Sequence, residues 1–120
     1  MDDLQKRFDT AQEICRLAGQ EALRFFSNGA ALKVDQKGKQ DWVSEADVAV
    51  ETFVRDLLER AWPDDGIIGE EHDTKTGESG FKWVIDPIDG TTNFINGIPA
   101  WTVVLAGVAN GQTKIGVTYD

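Results

Sequence analysis

Two aspartates close an apolar stretch in the segment WVIDPIDGTTNF, residues 83–94. Asp86 and Asp89 lie three positions apart, and Pro87 between them restricts the backbone. Both carboxylates and the carbonyl oxygen of Ile88 could converge on one point, and oxygen atoms are the ligands that Mg²⁺ prefers. Two carboxylates held this close repel each other unless a cation lies between them. The pattern therefore indicates a magnesium site, and a type I turn, which Asp and Pro also favour, is the structural alternative.

Small and hydroxyl residues follow directly, at Gly90, Thr91 and Thr92. If a short helix begins here, its first backbone N–H groups have no partners within the helix, and together with the helix dipole they bind phosphate. Gly90 would let a phosphate approach the backbone closely. A helix cap at Thr91 is the structural alternative, although capping and phosphate binding are compatible. Metal ligands and phosphate donors would then be adjacent, as metal-assisted phosphate hydrolysis requires.

A second group of acids, Glu70 and Glu71, ends the short apolar stretch IIG. Charge runs usually form solvated loops, and a loop is the structural alternative to a metal ligand at Glu70. His72 comes next and is the only histidine of the chain, which is insufficient for a zinc cluster. We therefore interpret His72 as an exposed loop residue.

The segment SEAD, residues 44–47, has the spacing of a capping box, a hydroxyl followed three positions later by a carboxylate. This interpretation starts a helix near Ser44 and makes the role of Asp47 structural. As a general base, Asp47 would instead have to reach a hydroxyl or a water molecule near the metal. Lys37 and Lys39 are interpreted as loop lysines, either of which could meet a phosphate or balance the acids.

Apolar residues at helical spacing predict two helices in the first half of the chain. The first covers residues 3–27 and the second runs from Ser44 to the stop signal at Pro63, with a polar loop or loose hairpin at 33–41 between them. Cys15 lies close to the apolar face of the first helix, where we expect it to pack rather than react.

Strand patterns replace the helical ones after Pro63, in the segments GIIGEE, FKWVID, WTVVLAGVA and TKIGVTY. Asn110 and Gly111 separate the last two segments and predict a tight hairpin turn. Two helices followed by strands predict an α+β fold, in which both helices pack on one face of a mainly antiparallel sheet. All 120 residues fit one domain.

Bulk composition limits the classes of partner. Twelve basic and 21 acidic residues give a net charge of −9, which disfavours nucleic acid and anionic membranes as partners. A phosphate substrate would need a cation to offset this charge. One cysteine cannot form an internal disulfide, which favours the reducing cytoplasm.

Three segments together resemble a known family. WVIDPIDGTTNF is similar to the first signature of the inositol monophosphatase family of Mg²⁺-dependent phosphatases, IIGEE to its Gly-Glu-Glu segment, and DWVSEAD to its Asp-x-Val-Ser/Thr-x-x-Asp segment. The segments occur in the family order, and the resemblance covers nearly all 120 residues. The resemblance implies that residues 1–120 form the N-terminal α+β domain of such a protein. The C-terminal half, which in this family carries a further metal-binding aspartate, is then absent.

The resemblance also implies roles by position. The expected metal ligands are Glu70, Asp86, Asp89 and the carbonyl of Ile88. The expected substrate-binding residues are Asp89, Gly90, Thr91, Thr92 and Glu70. The expected catalytic residues, which would orient or activate the attacking water, are Asp47, Thr91 and Glu70. The family usually places a lysine before the segment of Asp47, and here Lys37 and Lys39 are both candidates.

These roles imply Mg²⁺-dependent hydrolysis of a small phosphate monoester, with inositol monophosphate as the leading candidate and Mn²⁺ as a substitute cation in vitro. Histidinol phosphate, a nucleotide bisphosphate and fructose bisphosphate are alternatives within the family. The 120-residue chain is expected to hold an incomplete site, so it could be inactive alone. The full-length protein could form a homodimer, as family members often do. A non-catalytic binding or regulatory protein and a structural Ca²⁺ site are the alternatives from other classes.

Overall fold

A computed structural model describes residues 3–31, 36–70, 72–89 and 101–119, with the backbone alone at 28–31 and 36–44. Two helices come first and four strands follow. In chain order they are α1 (Asp3–Ala31), α2 (Gln36–Ala61), β1 (Gly66–Gly69), β2 (Phe81–Asp89), β3 (Thr102–Ala109) and β4 (Gln112–Tyr119). Neither described helix combines the length and apolarity that a bilayer crossing needs.

The strands form one sheet in the order β1-β2-β3-β4. β1 pairs with β2 in parallel, whereas β2 with β3 and β3 with β4 are antiparallel. α1 packs against β2, β3 and β4, and α2 packs against α1 and β2. The predicted α+β fold, with two helices on a mainly antiparallel sheet, is confirmed.

Both helices are longer than the sequence pattern predicted. α1 continues to Ala31 through Asn28 and Gly29, and α2 begins at Gln36. Ser44 therefore lies inside α2, so the predicted capping box at SEAD is wrong, as is the loop at residues 36–41. Gln and Lys are good helix formers, and one interior glycine such as Gly38 costs about 1 kcal/mol, which does not end a helix.

Small side chains bring α1 close to the sheet. Its buried face consists of Ala11, Ile14, Cys15, Ala18 and Ala22. The Sγ atom of Cys15 lies 3.5 Å from the carbonyl oxygen of Val103, and burial raises the pKa of this thiol to about 11. A thiol with that pKa is protonated at neutral pH, so the predicted packing role of Cys15 is confirmed. A Cβ added at Gly19 would overlap the ring of Tyr119, so the close approach requires glycine.

The turn between β3 and β4 is the predicted hairpin turn. Asn110 has a φ of 55° and Gly111 a φ of 73°. Positive φ at both central residues is the geometry of a type I′ turn, which matches the twist of the paired strands. Asparagine and glycine adopt it at the lowest cost, which explains why this dipeptide predicted the hairpin.

A buried ion pair joins α1 to the start of β1. Arg7 donates two hydrogen bonds to the carboxylate of Asp65, at 2.7 and 2.8 Å. Ser79 Oγ and Trp83 Nε1 also donate to this carboxylate, at 2.6 and 2.9 Å. The guanidinium lies 4.2 Å from the ring centre of Trp62. Burial alone would raise the pKa of Asp65, but these hydrogen bonds hold it below its usual value of 3.8.

We expect Asp65→Asn to lower the free energy of unfolding by about 3 kcal/mol at pH 7, because it leaves the buried Arg7 without its counterion. Urea denaturation followed by circular dichroism measures this. Since the carboxyl pKa is lower in the folded state, its contribution is complete well above pH 3.8 and is lost as the pH falls below that value. The difference between the two proteins should therefore shrink in acid.

Glu13→Gln is the control, because Glu13 forms an exposed ion pair with Arg16 on the surface of α1. Its unfolding curve should match that of the unsubstituted chain. Equal unfolding midpoints for the Asp65→Asn and unsubstituted proteins at pH 7 would contradict the role given to the buried pair.

Candidate functional site

Parallel pairing brings the ends of β1 and β2 to one edge of the sheet. Gly69, the last residue of β1, is the register partner of Ile85 in β2. Continuing this register by one position places Glu70 beside Asp86. The structure thus brings together two acids that are 16 positions apart in the sequence.

A β-bulge places Asp86 and Asp89 on the same side of β2. Asp86 pairs with Val104 and Asp89 with Thr102, so β2 contains one more residue than β3 across this interval. Burial alternates up to Ile85, but Pro87 and Ile88 are both buried, and Asp89 is exposed. Regular alternation would have turned Asp89 toward the helices, opposite to Asp86. The bulge reverses this and re-aims the second carboxylate.

The electrostatics of Asp86 reflect its neighbours. Partial burial raises the pKa of its carboxyl, and the negative charges of Asp89 and Glu70 raise it further. A hydrogen bond from the backbone N–H of Ile88 opposes the rise. That bond belongs to a turn in which an aspartate accepts from the residue two positions later, so the structural role predicted for this segment coexists with the clustering of charge.

Donor type and charge at this edge fit a hard divalent cation, because three carboxylates interact here and a cation would relieve their repulsion. Within the residues that the structure describes, however, no three acidic, histidine or cysteine side chains lie close enough together to hold a metal ion. The charges of Glu70 and Asp89 therefore act on Asp86, but the three carboxylates do not converge on one point.

Asp47 lies on α2, partly buried, one turn before Glu51. Because β1 runs back along α2, residues earlier in α2 lie further toward the acidic edge of the sheet. Its predicted capping role is wrong, since α2 begins at Gln36. The second interpretation, a base near the acids, stays a prediction.

Other predicted residues lie outside the described part of the chain. Gly90, Thr91 and Thr92 belong to this group, so their phosphate-binding role stays a prediction. Lys37 and Lys39 lie within the backbone of α2, but their side chains are not among those described. His72 is half-buried, and its Nε2 lies 2.7 Å from Thr52 Oγ1 on α2.

Sequence reasoning missed a buried ion pair next to this site. Glu51 is fully buried, and its Oε2 accepts a hydrogen bond from Arg55 Nε at 3.1 Å. The only signal in the sequence is a glutamate four positions before an arginine, which is equally typical of an exposed helix surface. Burial distinguishes the two cases, and burial depends on how α2 packs against the sheet.

Comparisons with known proteins agree on one family. A sequence model described as the inositol monophosphatase family matches residues 3–120. A histidinol-phosphatase of Mycobacterium tuberculosis is 43% identical over 86 residues, which is 72% of this chain and 33% of the relative. A Nus factor SuhB of Xylella fastidiosa is 40% identical over 105 residues, which is 88% of this chain and 38% of the relative.

Solved structures show the same likeness. The structure of an inositol monophosphatase from Anabaena matches 99% of this chain and 41% of its own, with a TM-score of 0.81 and 30% identity. This chain therefore spans about two fifths or less of the relatives compared with it.

We expect Asp86→Asn to stabilise the metal-free protein at neutral pH. A carboxyl whose pKa is raised by folding is penalised when ionised, and asparagine removes the charge while it can still accept the hydrogen bond from Ile88. Below pH 3.8 the carboxyl is protonated in both the folded and unfolded states, so the gain should disappear.

Urea titrations at neutral and acidic pH, with EDTA present, measure this difference. Asp56→Asn, an exposed acid on α2, is the control and should leave stability unchanged at both pH values. A metal-free Asp86→Asn protein less stable than the unsubstituted chain at pH 7 would contradict the description of a repulsive acidic edge.

Proposed function

This chain belongs to the inositol monophosphatase family, and on that premise we propose that it is the N-terminal domain of a Mg²⁺-dependent phosphatase that hydrolyses small phosphate monoesters. The observation that carries the proposal is the electrostatic interaction of Asp86 with Asp89 and Glu70 at one edge of the sheet. Three negative charges close together destabilise a fold. Cation binding therefore explains their proximity better than a contribution to stability does.

The cation would be held by the carboxylates of Glu70, Asp86 and Asp89 and by the carbonyl oxygen of Ile88. When bound, Mg²⁺ supplies neutralising charge and lowers the pKa of a water molecule. The bulge in β2 supports this ligand set, since it presents Asp86 and Asp89 on one side. Modest side-chain rotations would be needed for convergence, and carboxylates on exposed strand ends can make them.

Substrate binding is assigned to the segment after β2. The backbone N–H groups of Gly90 and Thr91, with Thr92 nearby, would hold the phosphate, and the adjoining Asp89 and Glu70 would face the substrate. This assignment comes from the residue types and the family signature. The net charge of −9 supports it indirectly, because a phosphate needs local positive charge and N–H donors to approach this chain.

Asp47 and Thr91 would orient the attacking water, with Glu70 assisting from β1. A base for this role must reach the water from outside the metal ligands. The position of Asp47 on α2, one turn before Glu51, supports its choice for this role. The arrangement would give the carboxylates two tasks, cation binding on the strands and proton acceptance on the helix.

Inositol monophosphate is our first choice of substrate. Histidinol phosphate is the second, since one relative carries the name histidinol-phosphatase. A non-catalytic regulatory role is the alternative from another class, because another relative carries the name of a Nus factor. We also place the protein in the cytoplasm, because its single cysteine cannot form an internal disulfide.

We expect Mg²⁺-dependent release of phosphate from at least one of these monoesters. Asp89→Asn should lower this activity about 100-fold or more, because loss of a direct metal ligand should cost more than loss of a residue that supports a ligand. Phosphate release is measured for this chain and for the complete gene product, with EDTA as the blank. Glu13→Gln on the outer surface of α1 is the control and should retain full activity.

Activity of the complete product alone would show that the chemistry needs residues beyond these 120. Absence of release from a panel of monoesters, for both polypeptides and with both Mg²⁺ and Mn²⁺, would refute the phosphatase proposal and favour the regulatory alternative.

A further inference from the structure

Glu51 and Arg55 form a charged pair in the interior, between α2 and the end of β1. The side chain of Glu51 is 0% exposed and that of Arg55 is 11% exposed, with 3.1 Å between Arg55 Nε and Glu51 Oε2. Removing two charges from water costs several times more free energy than an exposed ion pair gains. Well-packed apolar residues of similar volume often stabilise a fold as much as a buried ion pair does. A gain in stability therefore does not explain why this ion pair is buried, whereas the contacts that the pair makes can explain it.

The carboxylate of Glu51 lies directly against Gly69. A Cβ placed on Gly69 would overlap both carboxylate oxygens of Glu51, so the two residues are in contact only because position 69 lacks a side chain. Gly69 is the last residue of β1, and the next residue is Glu70. The buried carboxylate therefore contacts the backbone one residue before a proposed metal ligand.

Arg55 contacts the chain on the other side of Glu70. Its Nη2 donates to the carbonyl oxygen of His72 at 3.4 Å, while its Nε is bound to Glu51. Thr52, on the same turn of α2, lies 2.7 Å from the ring of His72. One turn of α2 thus holds Gly69 and His72, the residues one before and two after Glu70.

We propose that Glu51 and Arg55 are positioning residues that fix the backbone on both sides of Glu70 and thereby set the affinity of the acidic edge for a divalent cation. The inference rests on the proposed function, since it concerns the same site. Asp47 precedes Glu51 by four positions on the same helix face. The pair therefore also connects the helix turn that follows the proposed base to the backbone around the proposed ligand after β1.

Two variants test the pair. Glu51→Gln keeps the shape of the side chain and removes its charge, and Arg55→Lys keeps a charge for Glu51 but lacks the planar fork that reaches both Glu51 and His72. We expect Glu51→Gln to weaken Mn²⁺ binding by about tenfold or more, in the range typical of residues that support metal ligands, and Arg55→Lys by several-fold. Arg55→Lys decides the question if Glu51→Gln does not fold.

The chain offers a matched pair of controls at the opposite end of β1. Asp65→Asn and Arg7→Lys make the same chemical changes in the other buried ion pair, whose side chains are 1% and 13% exposed. They should destabilise the fold comparably and leave the dissociation constant for Mn²⁺ within about twofold of the unsubstituted value. General destabilisation would affect all four variants alike, so this contrast separates positioning from a purely structural role.

Mn²⁺ binding is measured on the complete gene product by the loss of the free-ion signal in electron paramagnetic resonance, at a temperature well below the unfolding midpoint of every variant. Unchanged affinity in both Glu51→Gln and Arg55→Lys, or equal weakening in the controls, would overturn the inference while the metal site itself stands. If the unsubstituted protein and Asp89→Asn both fail to bind Mn²⁺, the proposed function fails and this inference fails with it.

Discussion

Parallel pairing of β1 with β2 is the constraint on which the acidic edge depends. Every other pairing in the described sheet is antiparallel, and an antiparallel β1 would direct its end away from that of β2. Because both strands run the same way, the acids that follow their apolar stretches meet at one edge. The bulge in β2 then adds Asp89 on the side already occupied by Asp86.

β1 is only four residues long, and a buried carboxylate–arginine pair lies at each of its ends. Arg7 and Asp65 hold its start against α1, and Glu51 and Arg55 hold its end against α2. A short edge strand has few backbone hydrogen bonds of its own, so side-chain contacts at its ends limit how far it can shift. The second of these pairs lies at the end of β1 where the acids gather.

Much of the fold could be predicted because its signals are local. Runs of β-favouring apolar residues predicted β2 and β3, and the asparagine–glycine dipeptide predicted the tight turn through the φ values that it favours. The start of α2 could not be predicted in this way. Residues 36–41 are polar or glycine, so they carry no apolar period. SEAD also matches a capping box equally well inside a helix as at its start.

The sequence by itself determined which residues are available for chemistry: a group of acids after two apolar stretches, a glycine and two threonines directly after Asp89, and a net charge of −9. Only the tertiary structure decided which of them meet. Glu70 and Asp86 become neighbours through strand pairing, and Glu51 becomes a buried contact of Gly69 through the packing of α2. The physical reason is that residue types and short spacings are local properties, whereas proximity and burial arise from contacts between segments far apart in the chain.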